Sequence, residues 1–180
     1  MDIPESEHGL YAAARGDAVI LRVRGPGVYS LGPVLKHFGN VCADEGCTTL
    51  VLDLAECASV DSTFLGVIAG LAMKFRRRPG GGRVFLVGAD EKIAENLRTL
   101  GLSRMASLLT PEEASRELHG VSWDPAAMRR IDLHPPPDKR LTRQTMLEAH
   151  ENLSTLSEAN AEVFKNVLAV LRENERKAGV

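Results

Sequence analysis

The chain has 180 residues, 44% hydrophobic and only 4% aromatic, with a formal net charge of −2. That apolar content can bury a core and excludes wholesale disorder. The slight negative charge and the shortage of aromatic rings argue against a dedicated nucleic-acid binder, which needs cations for phosphates and rings for bases.

Leu10 to Arg15 and Ala18 to Arg24 read as two strands joined by the turn Gly16-Asp17. Gly25-Pro26-Gly27 then breaks the chain. A helix follows, with Leu31, Val34, Leu35, Phe38 and Val41 on one face, and Gly46 stops it. TTLVLDL reads as a central strand covered on both faces. After a short loop, Asp61 or Ser62 caps a helix carrying Leu65, Ile68, Leu71, Ala72 and Phe75. Arg76, Arg77 and Arg78 complement the dipole in its last turn, and Pro79 with Gly80 to Gly82 ends it. RVFLVG is another buried strand. Asp90 caps a short helix with Ile93, Leu97 and Leu100 on one side, closed by Gly101. Met105 to Leu109 is a short last strand, and Thr110-Pro111-Glu112-Glu113 opens one more helix with a capping box.

Alternating strands and helices imply an α/β layer fold with some parallel pairing. The domain is placed at residues 8–120. Residues 121–138, with Pro125 and the run Pro135 to Pro137, read as a stiff, extended linker. Residues 139–177 contain neither proline nor glycine and read as one long amphipathic helix. Met146, Ala149, Leu153, Leu156, Asn160, Val163, Val167 and Val170 form a heptad seam about three heptads long. Asn160 on such a seam would fix the register of a homodimer, and folding back onto the domain is the alternative.

Catalytic arrangements are scarce, and no enzymatic activity is expected. Cys42, Cys47 and Cys57 form an odd set with neither CxxC nor zinc spacing, so free thiols in a reducing cytoplasm are expected, and no metal or cofactor. None of the five histidines sits in a recognisable motif. The glycines 80–82 follow a helix and precede a strand, the reverse of a phosphate-cradling loop. The N-terminus lacks the regions of a secretory leader. The longest strongly apolar run, Phe64 to Met73, is shorter than the roughly 20 residues of a bilayer span. A cytoplasmic protein without a membrane span is the expectation.

One place stands out. Asp61, Ser62 and Thr63 cluster at a helix N-terminus, where free amides and the dipole favour negative charge. Ordinary capping explains such residues by itself. The helix behind them is unusual, because Gly66 and Gly70 make one side small and flat, and glycine inside a helix costs about 1 kcal/mol against alanine. Close approach of another backbone accounts for that, whether a partner's or the protein's own.

The stretch VLDLAECASVDSTFLGVIAGL, followed by RVFLVGADEKIAENLRTLGLSRMASLLTPEEA, resembles the STAS domain, shared by anti-sigma factor antagonists and the cytoplasmic tails of sulfate transporters. The resemblance implies a mixed sheet of four to five strands with helices chiefly on one side, and it stops short of the C-terminal helix. It implies that Ser62 is the serine phosphorylated by a partner anti-sigma kinase, with Asp61 before it and Thr63 at the second hydroxyl. Phe64 replaces a small glycine and would alter the surface beside Ser62, while Leu65 and Gly66 match. GPGVY stands where the family often carries an acidic loop. The expected partner surface is Asp61, Ser62, Thr63, Phe64, Gly66 and Gly70. The expected partners are an anti-sigma factor with serine-kinase activity and a phosphatase. A non-phosphorylated interaction scaffold that assembles through the C-terminal helix, with Ser62 only a cap, is the competing expectation.

Overall fold

The computed structural model describes residues 3–118 and 127–177. In chain order the elements are β1 (Gly9–Arg15), β2 (Ala18–Gly27), α1 (Gly32–Asp44), β3 (Thr49–Asp53), β4 (Cys57–Val60), α2 (Ser62–Arg77), β5 (Arg83–Val87), α3 (Glu91–Thr99), β6 (Ser107–Leu109), α4 (Pro111–Glu117), β7 (Arg129–Ile131), α5 (Lys139–Ser154) and α6 (Glu158–Lys177). The sheet runs β6-β5-β3-β2-β1-β7, with β4 branching off β2. β2, β3, β5 and β6 are parallel, and β1 pairs antiparallel with both β2 and β7.

The central strands are buried on both sides, which is why they read as unbroken apolar runs. Val19, Leu21, Leu50, Leu52, Val84 and Leu86 face α1, α2 and α3. Ile20, Val51, Phe85 and Val87 face the other way, against Ala114 of α4, Leu118 and Met128. The hairpin formed by α5 and α6 makes a further layer outside α2, and its Ala149, Leu153, Phe164 and Leu168 join the larger cluster.

The mixed sheet is present as expected, with seven strands where four to five were expected, and four local readings are corrected. Gly25-Pro26-Gly27 does not end β2. The strand continues through a bulge, with Gly25 at φ +75°, and pairs with β4. Residues 57–60, read as loop, are that fourth strand, which a run of four residues barely announces. Within the expected linker, Arg129 to Ile131 form β7 on the free edge of β1. The part of that linker at 121–126 lies outside the described residues.

The largest correction concerns 139–177, which is two helices and not one. Ser157 is the reason: its Oγ accepts from the amide of Asn160 at 3.1 Å, an N-cap that restarts the helix without glycine or proline. The seam is therefore split. Ala149, Leu153 and Asn160 are buried within the chain, and Asn160 Nδ2 donates to the carbonyls of Leu100 and Leu153, both at 3.0 Å. Val163, Val167 and Val170 are exposed, Val163 by 67%. Folding back is the arrangement found. Among the described residues, no helix is long and apolar enough to cross a membrane.

Candidate functional site

Asp61 is the N-cap of α2, and both of its carboxylate oxygens are engaged. Oδ1 accepts from the Phe64 amide at 2.8 Å and Oδ2 from the Tyr29 amide at 2.6 Å. Its own amide donates to Gly27 O at 3.0 Å. The loop after β2 is thereby stitched to the start of α2, and the capping reading holds in full for Asp61. Tyr29, 50% exposed, stands on that stitched loop as an aromatic ring beside the site.

The six candidate partner residues divide by burial. Asp61, Ser62 and Gly70 are half-buried, and Thr63 and Gly66 are buried. Phe64 is wholly buried, so it does not alter the contact surface as the sequence reading expected. It turns inward on the face shared with Ile68 and Phe75, and fills the space a side chain at position 27 would occupy: a Cβ on Gly27 would lie 2.9 Å from its ring. The extra bulk at 64 is matched by the missing bulk at 27.

The small face of α2 is covered by α5. A Cβ on Gly66 would sit 2.2 Å from the Ala149 carbonyl oxygen, and one on Gly70 would sit 2.4 Å from the Asn152 amide nitrogen. Asn152 Nδ2 donates to Gly66 O at 3.2 Å. The helical glycines are thus explained within the same chain, Gly66 by the backbone of Ala149 and Gly70 by the side chain of Asn152. Ser62 Oγ lies 3.0 Å from His150 Nε2, while His150 Nδ1 lies 2.7 Å from Met146 O. A carbonyl can only accept, so Nδ1 carries a proton, and in the neutral ring Nε2 accepts from the Ser62 hydroxyl. His150 is 4% exposed, with Phe164 edge-on at 5.4 Å.

On the opposite face of the sheet, Arg22 forms a buried pair with Asp53 (Nε to Oδ2, 2.8 Å), whose Oδ1 accepts from the Ala55 amide at 3.0 Å. Glu56 reaches Arg22 at 3.3 Å and Arg24 at 2.7 Å, and its hydrogen bond holds Arg24 above the usual guanidinium range. These bonds fix the loop that leads into β4 and α2. Burial pushes the Cys57 thiol up and takes the Cys42 thiol to about 12. Neither has the character of a reactive thiolate. Among the described residues, no group of His, Cys, Asp or Glu has the makings of a metal site.

Sequence reasoning missed His150, Asn152, Tyr29 and the Arg22–Asp53 pair. The signal for Asn152 and His150 lay in their partners: two helical glycines four apart require an approaching backbone, though the spacing does not say which.

The family model of the STAS domain matches residues 11–115. The chain belongs to the STAS domain family. No curated protein matches it. Among solved structures, the unphosphorylated anti-sigma factor antagonist SpoIIAA superposes with a TM-score of 0.52 at 15% identity, over 63% of this chain and 100% of that one. The phosphorylated form of the Bacillus cell fate determinant SpoIIAA gives 0.52 at 17%, over 62% and 100%. The Thermotoga maritima protein TM1081 gives 0.53 at 26%, over 59% and 91%. The STAS match ends at 115, so α5 and α6 lie outside it, and it is their addition that covers α2.

Proposed function

We propose that this chain is an anti-sigma factor antagonist of the partner-switching kind, with no catalytic role of its own. In the cytoplasm it binds an anti-sigma factor with serine-kinase activity through the start of α2. Phosphorylation of Ser62 by that kinase ends the binding, and a phosphatase restores it. The observation that carries the reading is the division of the two hydroxyls at the helix start. Thr63 is buried, while Ser62 is half-exposed at the first turn of α2, where unpaired amides and the helix dipole favour a phosphate. SpoIIAA, with the same fold, has been solved with and without phosphate. Ser62→Ala should keep affinity for the kinase and Ser62→Asp should abolish it; equal affinities would sink the proposal.

The Ser62–His150 hydrogen bond favours a second reading, an interaction scaffold in which Ser62 never carries phosphate and only holds α5. Mass spectrometry of the protein from growing cells separates the two, since phosphate at Ser62 is required by the first and absent in the second. A homodimer through the C-terminal segment would use Val163, Val167 and Val170, because Ala149 and Leu153 are already buried within the chain.

A further inference from the structure

We propose that the α5–α6 hairpin is an intramolecular lid on the partner face of α2, whose docking excludes a partner there and is latched by the contact between Ser62 and His150. The inference rests on the partner-binding reading above and adds the element that regulates it.

The exclusion is steric. Ala149 and Asn152 lie in direct contact with the face of Gly66 and Gly70, so nothing else can approach that face while α5 is docked. The hairpin is also separable in kind from the domain. SpoIIAA is matched over 100% of its length by 63% of this chain, so the sheet and its helices form a complete fold without an added hairpin. The contact between the two is partly hollow and partly polar. A cleft of about 190 Å³, lined by Lys36, Asn40, Thr145, Glu148 and Asn152 among others, runs between α5 and the pair α1–α2. Thr145 Oγ1 is buried beside it with no hydrogen-bond partner. The ion pair between Lys36 and Glu148 spans the same gap near the surface. Apart from Leu153, Phe164 and Leu168, the hairpin is held by small and polar groups, and such a contact opens more readily than the core of the sheet.

The latch is the 3.0 Å contact between Ser62 Oγ on α2 and His150 Nε2 on α5. In the neutral ring Nε2 offers a lone pair, and the serine hydroxyl meets it as a donor. The ring is enclosed by its own helix and by Phe164, so it cannot turn to water without α5 leaving. Losing the serine hydroxyl therefore loosens the docked hairpin.

Hydrogen–deuterium exchange of the full chain tests this without any partner. In the wild type, the amides of α5 should exchange at least about tenfold faster than those of β2, β3 and β5, through an opening that spares the sheet. Ser62→Ala, which removes the hydroxyl of the latch, should speed α5 by about a further fivefold while the strands keep their rates. Leu153→Asp, which never touches residue 62, should release the hairpin outright. Exchange of α5 at the rate of the strands in every variant would overturn the lid. Release by Leu153→Asp with no change in Ser62→Ala would overturn the latch. A protein found without phosphate at Ser62 would fail the preceding proposal and leave these exchange results as they stand, so the two failures are distinguishable.

Discussion

The two long faces of α2 are built on opposite rules. Toward the sheet it presents Phe64, Ile68 and Phe75, all essentially inaccessible and interlocked with strands β2, β3 and β5. Toward α5 it presents Ser62, Gly66 and Gly70, with a serine–histidine bond, an asparagine–carbonyl bond and bare backbone contact. The first face gains its free energy from apolar area removed from water, and only the correct interior can supply it. The second gains it from close approach and a few hydrogen bonds, which another helix of suitable shape can supply as well. One helix thus carries a permanent contact and an exchangeable one.

The comparison breaks most visibly on the inner face. Phe75→Ala should cost about 3–5 kcal/mol in urea unfolding, because a ring is deleted from a site that cannot collapse. Phe64→Ala should cost a similar amount. Its coupling to Gly27 sharpens the point: Gly27→Ala should destabilise the wild type and be nearly neutral beside Phe64→Ala, a non-additivity that a double-mutant cycle reads directly.

On the outer face the effects are smaller and land elsewhere. Gly66→Ala should cost about 1–3 kcal/mol by overpacking, even though alanine gains about 1 kcal/mol over glycine in a helix. Hydrogen exchange should locate that loss in α5 and α6; an equal loss in β3 and β5 would show that the two faces do not differ. Asn152→Ala, which removes the bond to Gly66 O, should cost about 1 kcal/mol with the same localisation.

The smallest effect is alkaline. Burial first, and the neighbouring Cys47 second, raise the Cys42 thiol from 9.0 to about 12. A raised value favours the neutral thiol in the folded state, so its contribution is complete below 9.0 and is lost as the pH climbs toward 12. Cys42→Ala should flatten the fall of the urea midpoint over that window, without distinguishing the two faces.

The inner face was legible in the sequence because large residues at helical spacing admit one interpretation. The strands of the sheet were legible for the same reason, as apolar runs bounded by turns. The outer face was only half legible. Gly66 and Gly70 announced a close neighbour, but a glycine carries no mark of whose backbone approaches it. His150 meets Ser62 across 88 residues of sequence, and no local pattern encodes such a pair. The break at Thr155 to Ser157 was hidden because an ordinary serine makes it, by capping, where glycine or proline would have been noticed.

That unmarked turn has a consequence for the reach of the molecule. Residues 155–157 include no glycine or proline, and no residue other than glycine has a positive φ among those described, so their chemistry permits helical backbone as readily as the bend. Run straight from Lys139 to Lys177, the tail would be a rod about 58 Å long at 1.5 Å per residue. Ala149, Leu153, Val163, Val167 and Val170 would then lie along one continuous seam. The same residues that fold compactly over α2 hold the pattern of an extended arm, and Ser157 sets the length at which the arm is folded.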